Sequence, residues 1–206
     1  NNSRKEKIAL IDDQGTLTYG GMADQIRACA AGLRKLGLKR EERVLLLMHD
    51  SSDWVVSFLG ALYAGVVPVA VNTLLTPEDY AFMINNSRAQ AALVSSALLD
   101  TLTTAIGQGT KSIKHVVVSR HEGDLPPVHT HFQDLLASGT GPSLPAETHA
   151  DEPAFWLFSS GSTGNPKGTV HTQGNLYWTA QLYGKGVLGL TSNDVVFSAA
   201  KLFFAY

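Results

Sequence analysis

The sequence predicts an α/β fold of layered, mostly parallel sheets covered by helices. Short apolar runs alternate with longer segments whose apolar residues recur at helical spacing, the pattern of repeated βαβ units. The apolar runs are continuous, as expected for strands buried on both faces. Charged residues make up only 17% of the 206, and hydrophobic residues 44%, so much of the surface of these elements is built to be covered.

Each element follows from local chemistry. Thr18-Tyr19-Gly20 opens a helix on which Met22, Ile26, Cys29, Leu33 and Leu36 form one apolar stripe. Residues 43–48 read as a buried strand, and 54–64 as a mostly apolar helix capped by Ser51 or Ser52. Residues 65–72 form the next strand, where Pro68 argues for an edge or a bulge because it has no N–H to donate. Thr76-Pro77-Glu78-Asp79 is a helix start: a threonine cap, proline in the first turn and two carboxylates at the positive end. Residues 91–95, 115–119, 155–158 and 194–200 are further short strands. The proline-rich stretch 121–153 reads as a long loop with one short helix, 132–137.

The chemistry concentrates in residues 159–168, Ser-Ser-Gly-Ser-Thr-Gly-Asn-Pro-Lys-Gly, directly after the 155–158 strand. Glycines let backbone N–H groups approach phosphate oxygens, hydroxyls donate further bonds, and a lysine neutralises charge. A Walker A loop is excluded, because Pro166 precedes the lysine and Gly168 follows it. Gly161 and Gly164 also miss the dinucleotide spacing. The run resembles the phosphate loop of adenylate-forming enzymes, Ser/Thr-Ser/Thr-Gly-Ser/Thr-Thr-Gly-x-Pro-Lys-Gly, at every specified position. The order of strands and helices before the loop is also similar to that family's N-terminal region. The resemblance implies the N-terminal part of the large domain of an adenylate-forming enzyme. Residues 1–206 would then be a portion of the large AMP-binding domain, without its remainder or the small C-terminal domain. The absent initiator methionine and the abrupt end at Lys201-Leu202-Phe203-Phe204-Ala205-Tyr206 fit that expectation. The fragment alone is then expected to be inactive.

By the same resemblance the loop grips ATP, with Mg²⁺ on its phosphates, and coenzyme A is the later acceptor. Lys167, the only cation of the loop, is assigned to the β- and γ-phosphates, and Thr163 to the vicinity of the magnesium; these are the two candidate catalytic residues. Ser159, Ser160 and Ser162 supply hydroxyls, while Gly161, Gly164 and Gly168 supply close-approach backbone. Pro166 stiffens the exit. His171 is assigned packing or hydrogen bonding, since an ionised carboxylate needs no base.

The acid is read from the last residues. Many relatives carry Pro-x-x-His-x-x-Gly there; this chain has Lys201 and Phe204 at the proline and histidine positions. The stretch resembles benzoate-CoA ligases and close aryl-CoA ligases, which implies that Ala205 and Tyr206 line a pocket for an aromatic acid. Hydroxybenzoate, aminobenzoate and alicyclic acids stay open, as do a fatty acyl-CoA synthetase, a peptide-synthetase adenylation domain and a nucleotide-binding module without catalysis.

Other signals are negative. The single cysteine, Cys29, forms no intrachain disulfide and fits a reducing, cytoplasmic setting. His129-Thr130-His131 lacks partners at metal-ligand spacing, so no protein-held metal is expected and a solvated loop is the default there. A net charge of −2 gives no footprint for nucleic acid. No apolar run reaches the roughly 18 residues of a membrane span.

Overall fold

The computed structural model describes residues 4–139, 143–159 and 164–204. A small antiparallel hairpin comes first, β1 (Ile8–Asp12) with β2 (Gly15–Thr18). A seven-stranded sheet follows, built from β3 (Arg43–Leu47), β4 (Val67–Ala70), β5 (Ala91–Ser95), β6 (His115–Ser119), β7 (His129–His131), β8 (Pro153–Ser159) and β9 (Lys167–Thr172). Its order is β7-β6-β5-β3-β4-β8-β9, parallel throughout except for the antiparallel pair β8/β9.

Helices cover both faces, as continuous apolar strands require. Along β3, Val44 and Leu46 enter one core and Leu45 and Leu47 the other, because successive side chains point to opposite faces. The first core is closed by α1 (Tyr19–Lys35), α2 (Ser52–Ala64) and α5 (Phe132–Ser138), the second by α3 (Pro77–Ser87) and α4 (Leu99–Gly107). The caps behave as their residue types dictate: the Thr18 and Ser51 hydroxyls accept from Gly21 N and Trp54 N, and Thr76 and Asp79 form a reciprocal capping box. Two glycines permit the helix packing. A Cβ on Gly32 would lie 2.5 Å from the Leu135 carbonyl oxygen of α5, and one on Gly60 would lie 2.7 Å from the Cys29 sulfur of α1. Cys29 itself is fully buried; burial, aided by the negative charge of Asp53, pushes its thiol up to about 12.

Three expectations need correction. Pro68 lies in an interior strand, β4 between β3 and β8. Val67 N and Val71 N donate to Glu42 O and Leu46 O on the β3 side, so alternation turns Pro68 toward β8, whose pairing starts only at Val69. Its missing donor therefore costs no ladder bond. Residues 121–153 hold, besides the predicted helix α5, the edge strand β7, so His129–His131 is not a solvated loop. Residues 194–200 are not a strand: among the described residues nothing pairs with them, and Val195 and Phe197 are 85% and 89% exposed. After β9 the chain continues as α6 (Gln173–Thr179) and a π-helical stretch, Ala180–Lys185.

Candidate active site

The parallel strands end on a common edge of the sheet, and the candidate site lies there. The chain runs from β3 outward to β4, then crosses back over β3 to β5, so the carboxyl ends of β3 and β5 diverge into a crevice. It is lined by His49, Asp50 and Ser51 after β3 and by Ser95 and Ser96 at β5, with Asp12 and Arg120 at its mouth. This is where doubly wound sheets hold anions, and here the protein supplies its own. The Asp12 carboxylate accepts from Ser52 N at the start of α2 (2.8 Å), from Gln14 N (2.9 Å) and from Arg120 Nη2 (2.6 Å). Burial alone would raise the pKa of Asp12, but these bonds outweigh it and hold the group at about 2. Arg120 also binds Asp13 (2.6 Å) and lies 3.9 Å from Asp53, whose carboxylate accepts from the buried Ser119 hydroxyl (2.6 Å).

The described ends of the 159–168 run lie two strands from β3, beyond β4, at the carboxyl end of β8. Ser159 ends β8 and Lys167 begins β9, and the two are cross-strand partners. The hairpin therefore brings hydroxyl and ammonium to the two sides of its mouth, both exposed. Lys167 opens a strand rather than a helix, in line with the rejection of a Walker loop. Gly164 has φ +91°, a conformation that favours glycine, with open space around it. Gly168 serves a different need: a Cβ there would meet Trp156 at 3.3 Å and Phe158 at 3.4 Å, so the aromatic side chains of β8 pack against its bare backbone. Ser160, Gly161, Ser162 and Thr163, and likewise Ala205 and Tyr206, lie outside the described residues.

The far end of the same hairpin is braced. Phe155 and His171 are register partners with rings stacked at 4.6 Å and 1°. The His171 Nδ1 lies 3.2 Å from the Asn175 side-chain nitrogen, and the Thr172 hydroxyl donates to Asn175 Oδ1 (2.8 Å). His171 thus packs and hydrogen-bonds. Beside this, the turn 201–204 is closed by Phe204 N donating to Lys201 O (3.1 Å), and Phe203 is inserted into the core that also holds Phe155. The hairpin and the terminal turn are thereby seated on one hydrophobic cluster.

Sequence reasoning missed the Asp12–Arg120 ion pair and the crevice it closes. The local signal was present in Asp12-Asp13-Gln14-Gly15, a turn with two adjacent carboxylates. Its partner, 108 positions away, has no local signal. Among the described residues no group of histidine, cysteine or carboxylate side chains could hold a metal, and no helix is long and apolar enough to cross a membrane.

An α/β sheet with a hydroxyl- and glycine-rich hairpin loop ending in Pro-Lys-Gly defines a class, and the chain belongs to it: the AMP-binding enzyme family, whose model matches residues 1–206. Within that family it is 45% identical over 204 residues to a benzoate–CoA ligase of Thauera aromatica, covering 98% of this chain and 38% of that one. It is 38% identical to a 4-hydroxybenzoate–CoA/benzoate–CoA ligase of Rhodopseudomonas palustris, with 98% and 37% coverage. The crystal structure of a benzoate CoA ligase from Burkholderia xenovorans LB400 superposes with a TM-score of 0.88 at 48% identity, over 100% of this chain and 39% of that one. The anthranilate CoA ligase AuaEII, in complex with anthranoyl-AMP, gives 0.92 at 33% identity, over 98% and 38%. The chain spans just over a third of the length of these relatives.

Proposed function

We propose that these residues are the N-terminal portion of the large domain of a carboxylate–CoA ligase acting on benzoate or a close aromatic acid. ATP and the acid are joined first. A carboxylate oxygen attacks the α-phosphorus, the bond to the β-phosphate breaks, and pyrophosphate leaves an acyl-adenylate. The thiol of coenzyme A then attacks the acyl carbon, loses its proton, and displaces AMP. Both steps depend on positioning and charge compensation more than on proton transfer. Lys167 neutralises the β- and γ-phosphates, with the hydroxyls of Ser159, Ser160, Ser162 and Thr163 around them. Mg²⁺ enters as the counter-ion of the substrate polyphosphate. Ala205 and Tyr206 border the aromatic ring. A cytoplasmic location belongs to the same reading, supported by the lone buried Cys29.

The observation that carries this reading is the register of β8 and β9, which sets Lys167 opposite Ser159 at the mouth of the hairpin. The names of the similar aryl-CoA ligases support the choice of acid. The test is ATP–pyrophosphate exchange by the full-length protein with benzoate, substituted benzoates, cyclohexanecarboxylate and medium-chain fatty acids. Benzoate-dependent exchange is expected, falling by about 10²–10³ in Lys167→Ala, the loss of one preorganised charge contact. Exchange with aliphatic acids alone would overturn the aromatic assignment. Nucleotide binding without exchange would leave a non-catalytic module.

A further inference from the structure

The β8/β9 hairpin is tied to the rest of the sheet over a short length. β8 has two register partners in β4, Val69 with Trp156 and Ala70 with Leu157, and β9 is paired with β8 alone among the described residues. The β8/β9 ladder is also irregular at its base, where the register shifts between Pro153 and Phe155. The first regular pair beyond that shift, on the way to the mouth, is Phe155 with His171.

Because side chains alternate along a strand, Lys167, Thr169 and His171 share one face of the hairpin with Ser159, Leu157 and Phe155. That face is turned to the first core, which holds Phe155 and packs against Leu157, while Trp156 and Phe158 pack on the second. A slip of one residue in β9 would turn Lys167 to the other face and end its pairing with Ser159. Near the mouth Gly168 opposes such a slip, since a side chain in its place would meet Trp156 and Phe158. The base needs a device of its own.

Two rings supply it. Phe155 is buried and meets Phe58 edge-on (5.2 Å, 63°), and Phe58 stacks on Trp54 (5.1 Å, 10°), so the Phe155 ring is set by α2. His171 lies flat on that ring, and its own rotation is fixed. The Thr172 hydroxyl occupies Asn175 Oδ1, so Asn175 Nδ2 donates to His171 Nδ1 and the ring proton is on Nε2. Nε2 is buried with no hydrogen-bond partner among the described residues, so the ring acts here through its flat face and its Nδ1.

We infer that His171 is a positioning residue for the nucleotide: by stacking on Phe155 it locks the register of the hairpin and thereby sets Lys167 opposite Ser159. The inference rests on the reading that Lys167 and Ser159 meet the ATP phosphates. It goes beyond that reading by giving a residue at the far end of β9 a part in binding ATP and none in binding the acid.

The test has two readouts. One is the register itself, in the full-length protein carrying Leu157→Cys and Thr169→Cys, which are register partners on the shared face. Their disulfide is expected to form several-fold more slowly when His171→Ala is added, and an unchanged rate would overturn the inference. Cys29 is buried and does not compete. The other readout is ATP–pyrophosphate exchange with benzoate, in the full-length protein without the added cysteines. In His171→Ala the KM for ATP is expected to rise about threefold to tenfold, the range of one aromatic pair, with the KM for the acid unchanged. His171→Phe keeps the flat ring and is expected to restore the ATP KM. An unchanged ATP KM, equal rises toward ATP and acid, or a phenylalanine variant as impaired as the alanine one would overturn the inference. If Lys167→Ala raises the ATP KM while His171→Ala does not, the phosphate assignment stands and the lock is wrong. If Lys167→Ala leaves the ATP KM unchanged, the phosphate assignment itself fails. Thermal melting shows that each variant is folded; His171→Leu, which fills the space without a flat ring, replaces the alanine variant if that one is not.

Discussion

Two stretches of this chain read almost identically: His115-Val116-Val117-Val118-Ser119 and Asp194-Val195-Val196-Phe197-Ser198. The first is β6, fully paired with β5 on one side and β7 on the other, its valines buried. The second has no regular structure, and its apolar side chains face outward. The difference is the neighbour. A strand exists where another strand receives its N–H and C=O groups and a helix covers its faces; β-branched residues only make a chain suited to that setting. Around β6 the sheet supplies both. Beyond α6 the described chain supplies neither; Leu182 and Tyr183 are exposed there, and so is Trp178 within α6.

The contrast can be broken by matched substitutions. Phe132→Ala, in the core under α5, is expected to cost about 3–5 kcal/mol in chemical denaturation. Gly32→Ala tests the same core from the other direction. Its Cβ would collide with the Leu135 carbonyl, and a destabilisation of about 1–3 kcal/mol is expected from overpacking; a neutral result would mean that α1 and α5 are not seated this closely. The ion pair at the crevice sharpens the comparison through pH. Because the pKa of Asp12 is depressed, its contribution is fully present above the ordinary aspartate value near 4 and is lost as pH falls toward about 2. The stability gap between the wild-type chain and Asp12→Asn should therefore be constant above that window and shrink within it. A gap that does not change with pH would remove the electrostatic account. The smallest effect belongs to the exposed stretch: Phe197→Ala should change stability by no more than about 0.5 kcal/mol.

Most of the sheet was legible because its signals are local. The capping box at Thr76 and Asp79, the stripe on α1 and the unbroken apolar runs of β3, β5 and β6 each follow from adjacent residues. The 159–168 run stands out in the sequence for the same reason, being one uninterrupted stretch of glycines, hydroxyls and a lysine. Pro68 misled because its meaning depends on where β8 begins its ladder, which lies far along the chain. Residues 194–200 misled because propensity was counted without a partner. The long-range contacts, Asp12 with Arg120 and the Asp50 carboxylate with the Leu202 backbone N–H, join residues more than a hundred positions apart. Their value comes from the crossover of β4 to β5 rather than from any spacing in the sequence.

Cys29 offers a practical consequence. Its thiol stays protonated through any neutral buffer and is sealed between α1 and α2, so alkylating reagents cannot react with it while the chain is closed. It is also the only thiol in these residues. Its labelling rate is then a clock for the separation of those two helices, and a cysteine placed near the hairpin mouth could carry a fluorophore without this one competing for the dye.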